Sequence, residues 1–183
     1  MSGGRAAAWA WIDGQVLPAD EARVSATDPG LLLGMGIFET CKVVDGVPFA
    51  LGRHLARLRE GAGRMGIAIP WDDDHLRRCC TEVLAPLAGL DPDPAAPVTR
   101  LRITATPGSA DRGGPTLLVT ASRGPGWGPT ADVVSVAVPV NEHSPLVGVK
   151  STSRAENVVA VHEARRLGAD EAVVYPTGAA SGG

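Results

Sequence analysis

The chain has 183 residues, with 17 basic against 20 acidic side chains, a formal charge of −3, and 44% hydrophobic against 20% charged residues. That balance is ordinary for a globular protein and excludes wholesale disorder, and a mildly acidic chain without basic blocks is not built for nucleic acid. No run of about 18 apolar residues is present, and the N-terminus lacks the apolar core of a secretory signal, so the expected setting is soluble, off the membrane and cytoplasmic.

Residues 9–12 read as a strand, turned at Asp13-Gly14 into a second over 15–17 that stops at Pro18. After a loop, Gly34-Met35-Gly36 leads into a strand over 37–44, and Asp45-Gly46 turns it into a partner over 47–51. Leu55, Leu58, Ala62 and Met65 recur at helical spacing, which predicts an amphipathic helix over about 53–65. Asp72, Asp73 and Asp74 open another helix with Leu76, Cys80, Val83, Leu84 and Leu87 on its apolar side; the three carboxylates read as complements of the helix dipole rather than as a metal site.

A Pro- and Asp-rich loop covers 90–97, and strands follow over 98–106 and 116–121, joined by a glycine-rich loop that carries Arg112. Residues 122–130 hold three glycines and two prolines in their first eight positions and read as an interdomain linker. Beyond it come a strand over 133–138, a loop over 140–149, a helix over about 154–167 ended by Gly168, and a strand over 171–175. The expected organisation is an α+β domain over 1–121, the linker over 122–130, and the start of a second domain over 131–183. A strand-helix-strand piece of about fifty residues cannot close a core alone, so it docks on other structure or the natural protein continues.

Three cysteines (Cys41, Cys79, Cys80) in an odd count without a CxxC pair support neither a disulfide framework nor a zinc site, and scattered His54, His75, His143 and His162 give no metal spacing. Gly34-Met35-Gly36 lacks the third glycine of a dinucleotide fingerprint, and neither GxxxxGK[ST] nor GxSxG occurs. The basic set is lopsided: fifteen Arg against two Lys, at 42 and 150. A lysine kept in such a chain suits chemistry that Arg cannot do, because a desolvated amine deprotonates and attacks carbonyls. Lys150 lies between the apolar Val149 and the cap-forming Ser151-Thr152-Ser153, where partial desolvation favours the neutral amine. Locally the same residue also reads as an ordinary surface lysine.

Ala22-Arg23-Val24-Ser25, the run from Gly30 through Gly34-Met35-Gly36-Ile37-Phe38-Glu39-Thr40, and His54-Leu55-Ala56-Arg57-Leu58 together resemble the N-terminal domain of the fold-type IV pyridoxal-phosphate enzymes. Gly148-Val149-Lys150-Ser151-Thr152-Ser153-Arg154-Ala155-Glu156-Asn157-Val158-Val159-Ala160 resembles their Schiff-base lysine segment, and the Ser-Arg-Ala-Glu-Asn-Val-Val run within it looks most like aminodeoxychorismate lyase. The resemblance implies an α+β fold, a fold-type IV N-terminal α/β domain followed by an incomplete second domain, with pyridoxal 5′-phosphate as cofactor. Lys150 would carry the cofactor and move the substrate proton, and Arg57 would bind its phosphate through bidentate, charge-assisted hydrogen bonds. Arg102 and Arg112 would face an anionic amino substrate, and Arg154 would meet a dicarboxylate substrate or stand solvated. The implied partners are that small molecule and a second copy of the chain in a homodimer, with no metal.

The implied reaction converts 4-amino-4-deoxychorismate to 4-aminobenzoate and pyruvate, in folate biosynthesis. Branched-chain or D-amino-acid transamination by a class IV aminotransferase is the near alternative, and a non-catalytic, truncated remnant is the alternative from another class. The last reading is motivated by Gly182, aligned where relatives carry a Glu that pairs with the cofactor's pyridine nitrogen, and by the absence of the family's last third after Gly183. The family's Gly-Asp-Gly also reads Gly34-Met35-Gly36 here.

Overall fold

The computed structural model describes residues 8–88, 90, 94–126, 128–138 and 140–175, so Gly182 and the small-residue run 177–183 lie outside the described residues. Two Asp-Gly turns set the first hairpins: Asp13 and Asp45 adopt φ of 52° and 50°, and Gly14 and Gly46 follow at 79° and 76°. Positive φ at both central positions is the twist that matches paired strands. The first turn joins β1 (Ala8–Ile12) to β2 (Gln15–Pro18), and the second joins β3 (Ile37–Val44) to β4 (Val47–Pro48). The strand expected over 47–51 is therefore only two residues long. Pro48 has no N–H to continue the ladder, and Ala50 at φ 51° turns the backbone left-handed into α2 (Leu51–Met65).

α3 (Asp73–Ala88) follows, with Asp72 Oδ1 accepting the His75 N–H at 2.7 Å and Asp73 and Asp74 in its first turn, the dipole-complementing role expected of the acidic run. Arg59 ties the two helices together, donating to Asp73 Oδ1 at 2.8 Å and to the Trp71 carbonyl at 2.7 Å. β5 (Val98–Thr106) and β6 (Thr116–Gly124) complete a six-stranded antiparallel sheet in the order β2-β1-β6-β5-β3-β4. β6 runs further than its sequence suggested: Ser122 pairs with Ala8 and Arg100, and Gly124 with Val98, so 122–124 are sheet rather than linker.

Alternation along the strands gives the sheet two chemically different faces. Ile37, Cys41, Leu101, Ile103, Leu117, Val119 and Trp11 point into the core with Leu55 and Leu58 of α2 and Leu76, Cys79, Cys80 and Val83 of α3. The opposite face carries Thr40, Lys42, Arg100, Arg102 and Thr104, brought side by side by the β3–β5 register. All three cysteines are free and buried, and burial pushes the thiols of Cys41 and Cys79 up to about 11 and that of Cys80 to about 12. They pack as small hydrophobes.

By compactness the chain divides into residues 1–126 with 150–152, and residues 127–149 with 153–183. Lys150, Ser151 and Thr152 thus belong to the first unit, although the sequence places them inside the second domain. In the second unit β7 (Val133–Ser135) and β8 (Glu171–Val173) pair in parallel and α4 (Ala155–Arg166) lies between them in sequence, around a small core of Val136, Ala160 and Ala164. Among the described residues no helix is long and apolar enough to cross a membrane.

One short element was not visible in the sequence, the single-turn helix α1 (Pro29–Leu32). Fully buried Asp28 fastens it: one carboxylate oxygen accepts the Gly30 N–H at 2.7 Å, and the other accepts the hydroxyls of Thr106 and Thr116 at 2.7 and 2.8 Å. Asp28→Ala strands two buried hydroxyls and an amide, and should lower stability by roughly 2–4 kcal/mol in urea unfolding. A loss below about 1 kcal/mol would show that water replaces the carboxylate.

Candidate functional site

β3 pairs with β5 from Ile37 to Val43, but β4 covers its other edge only at Val43 and Val44. The uncovered half of that edge is taken by the segment 150–152. The Phe38 N–H donates to the Lys150 carbonyl at 2.9 Å, the Thr152 N–H donates to the Gly36 carbonyl at 2.8 Å, and Ile37 stands opposite Ser151 in an antiparallel bridge. The Thr152 hydroxyl adds a bond to the Gly34 carbonyl at 2.9 Å. This explains the glycine before the strand: a Cβ at Gly36 would stand 2.8 Å from Thr152 Oγ1, so a side chain there would push the segment away.

The half-buried Lys150 is thereby held at the end of a hydrogen-bonded backbone. Its Nζ lies 4.8 Å from the centre of the Phe38 ring, and Arg102 places its guanidinium carbon 3.6 Å from the same centre. Both are cation–π contacts on one phenyl ring that is only 4% exposed. Arg102 Nε also donates to Thr104 Oγ1 at 3.1 Å, which fixes the guanidinium along β5. The structure therefore brings Lys150 and Arg102 to one ring, that of Phe38.

Glu39, the next residue, points to the opposite face and is 1% exposed. Arg57 of α2 grips it with two bonds, Nε to Oε1 at 2.5 Å and Nη2 to Oε2 at 2.6 Å, and His54 Nδ1 lies 2.7 Å from Oε2. Burial pushes the Glu39 carboxyl up, but the hydrogen bonds and charge of Arg57 and His54 outweigh it, leaving the group below its ordinary value. Arg57 itself is raised, chiefly by its bond to Glu39. Its side chain stays 53% exposed, so its outer edge still faces outward.

The other candidates separate from this group. Arg112, in a short 3-10 turn (Ala110–Arg112), is ion-paired with Asp13 in the first hairpin turn. Arg154 stands in the second unit at the start of α4, where with Asn157, His162 and Arg165 it lines a cleft of about 420 Å³. No group of three or more potential metal ligands occurs among the described residues. Sequence reasoning missed Glu39 and His54. A signal was present: in the alternation of β3, Glu39 falls on the face of Ile37 and Cys41, and a carboxylate in a core position demands a cationic partner.

The family profile of class IV amino-transferases matches residues 36–179, which include every element just described around β3, α2 and Lys150. The chain belongs to the class IV amino-transferase family. A putative branched-chain-amino-acid aminotransferase of Methanocaldococcus jannaschii is 31% identical over 174 residues, covering 88% of this class IV chain and 57% of the relative. Aminodeoxychorismate lyase of Bacillus subtilis is 38% identical over 48 residues, covering 26% of the chain and 16% of that protein. A hypothetical aminotransferase of Mycobacterium tuberculosis, solved with alpha-ketoglutarate and PMP bound, superposes with a TM-score of 0.78 at 23% identity, over 93% of the chain and 62% of its own. The fold is thus that of fold-type IV aminotransferases, and the class IV chain spans less than two thirds of the length of these relatives.

Because the Glu39 carboxyl is lowered by folding, its ionised form stabilises the fold above its unfolded value of about 4.5, and that contribution is lost as pH falls through the lowered folded value. Urea unfolding between about pH 3 and 6 should show a shallower acid dependence in Glu39→Gln than in the parent. Identical slopes would mean that the Arg57–Glu39 pair does not persist in solution.

Proposed function

We propose that this class IV chain forms the lysine- and phosphate-binding part of a pyridoxal-phosphate enzyme acting on a small amino compound. One observation carries the reading: consecutive residues of β3 hold the two candidate cofactor ligands, Phe38 receiving Lys150 and Glu39 receiving Arg57. The donor set fits the group. A primary amine on a fixed backbone suits its aldehyde, and a half-exposed guanidinium with outward N–H groups suits its phosphate. When bound, the cofactor delocalises the negative charge left as a proton leaves the substrate carbon. Lys150 would hold the aldehyde carbon and afterwards, displaced by the substrate amine, carry that proton at Nζ. Arg102, stacked on the same Phe38 ring that Lys150 contacts, would meet a substrate carboxylate. Arg112, committed to Asp13, is less suited to that role.

Amino-group transfer between an amino acid and a 2-oxo acid is the reading we put first, because the relative matched across 88% of the chain is a putative branched-chain-amino-acid aminotransferase. The lyase reaction, releasing pyruvate and 4-aminobenzoate from 4-amino-4-deoxychorismate, rests on the run 151–159 and on the 48-residue match to the Bacillus lyase. Either activity would be exercised by a homodimer in the cytoplasm, a reducing setting with which three buried free cysteines agree.

Borohydride reduction of the folded protein with added pyridoxal phosphate, followed by peptide mapping, should label Lys150 alone, and the label should fall at least about tenfold in Arg57→Ala. Unreduced protein loaded with pyridoxal phosphate should then exchange amino groups between branched-chain amino acids and 2-oxoglutarate. Release of 4-aminobenzoate without such exchange would favour the lyase. A folded chain without selective label at Lys150 would make it a non-catalytic relative.

A further inference from the structure

We propose that Glu39 is the positioning residue for Arg57, holding the guanidinium so that its outer N–H groups form a preset phosphate grip, with His54 holding Glu39 in turn. This rests on the reading of Arg57 as the cofactor-phosphate ligand. An arginine has five N–H donors in a planar fork, and Glu39 takes two of them, one on Nε and one on Nη2. Three donors remain, on Nη1 and on the far side of Nη2, along the edge turned from the carboxylate. The side chain is 53% exposed while its partner is 1% exposed, so the anchored edge faces the core and the donor edge faces out. Without the anchor, Arg57 would be a long helix side chain with its full rotamer entropy to lose on gripping an anion. With it, that ordering is completed when the chain folds, the usual route by which preorganisation raises affinity.

His54 completes the arrangement one helical turn before Arg57. Its Nδ1 meets Oε2, the oxygen that Arg57 Nη2 also uses, and its side chain is 18% exposed. The carboxylate is thus held from two points on α2 and cannot swing away from the guanidinium. Glu39 also lies next to Phe38, whose N–H binds the Lys150 carbonyl. The phosphate grip and the lysine therefore take their positions from one backbone.

The proposal makes a prediction opposite in sign to that of simple charge counting. Removing a carboxylate beside a cation should tighten binding of a phosphate if net charge governs the site. If position governs it, the same change weakens binding, because a Gln amide accepts at only one atom and sets its own N–H groups against the second Arg57 donor. Equilibrium dialysis with pyridoxal phosphate and with pyridoxal separates the phosphate contribution from everything else in the site. The expected result is that Glu39→Gln loses about tenfold in affinity for the phosphorylated ligand and leaves pyridoxal unchanged. His54→Gln should show the same selective loss at about threefold, and it decides the question if Glu39→Gln fails to fold.

Tighter phosphate binding in either variant overturns the proposal in favour of net charge, and equal losses for both ligands reduce Glu39 to a structural residue. Unchanged phosphate preference overturns it as well. Should the parent itself show no preference for the phosphorylated ligand, or Arg57→Ala leave that preference intact, the reading of Arg57 fails and the positioning role with it.

Discussion

The structure of the candidate site depends on an incomplete β-sheet edge. An edge strand presents unpaired N–H and C=O groups that take up whatever backbone can be brought alongside. β4 is two residues long, so β3 keeps its first half open, and the segment 150–152 fills it through the Phe38 and Gly36 backbone groups. The chain leaves the first unit after residue 126, returns for three residues, and leaves again. Backbone pairing of this kind sets the height and direction of a side chain more tightly than side-chain packing does. A lysine required to meet a particular carbon gains from such an anchor.

Burying Glu39 would cost several kcal/mol for an unpaired carboxylate. The site answers with a bidentate Arg57 and with His54, and the balance leaves the carboxyl ionised. A buried ion pair of this type is weak evidence for stability, since a hydrophobic replacement of similar volume is often as good. Its value here lies in geometry. Hydrophobic residues at 39, 54 and 57 would fill the same space and present no donors to an anion. Asp28 applies the same device elsewhere, where a buried carboxylate fixes α1 against β5 and β6.

Much of this architecture was legible from local rules. Asp-Gly turns, strand alternation and the helical spacing of Leu55, Leu58 and Ala62 depend on neighbours in sequence, and the structure agrees with all of them to within a few residues. Lys150 stood out because Arg had replaced nearly every other basic residue. What local rules could not supply was pairing across distance. Arg57 read as an open phosphate ligand because nothing within α2 reveals its contact with a strand residue 18 positions away. Arg112 read as a substrate residue, and its partner Asp13 lies 99 positions off. The short α1 has no periodicity to detect, and its stability comes from Thr106 and Thr116, both remote in sequence.

The two faces of β3 divide the work between chemistry and recognition. On one face the Phe38 ring is in contact with both Lys150 and Arg102. On the other, Glu39 draws Arg57 in from the helix. Side chains of adjacent strand residues leave the backbone in opposite directions, so a one-residue shift in β3 would exchange the two environments and abolish both. The register is pinned where such a shift would begin. Ile37 to Val43 pair with β5, Val43 and Val44 with β4, and Gly36 is blocked by Thr152. Strand register is therefore the property on which the relation between lysine and arginine rests, and it is set wholly within the first unit, by backbone pairing.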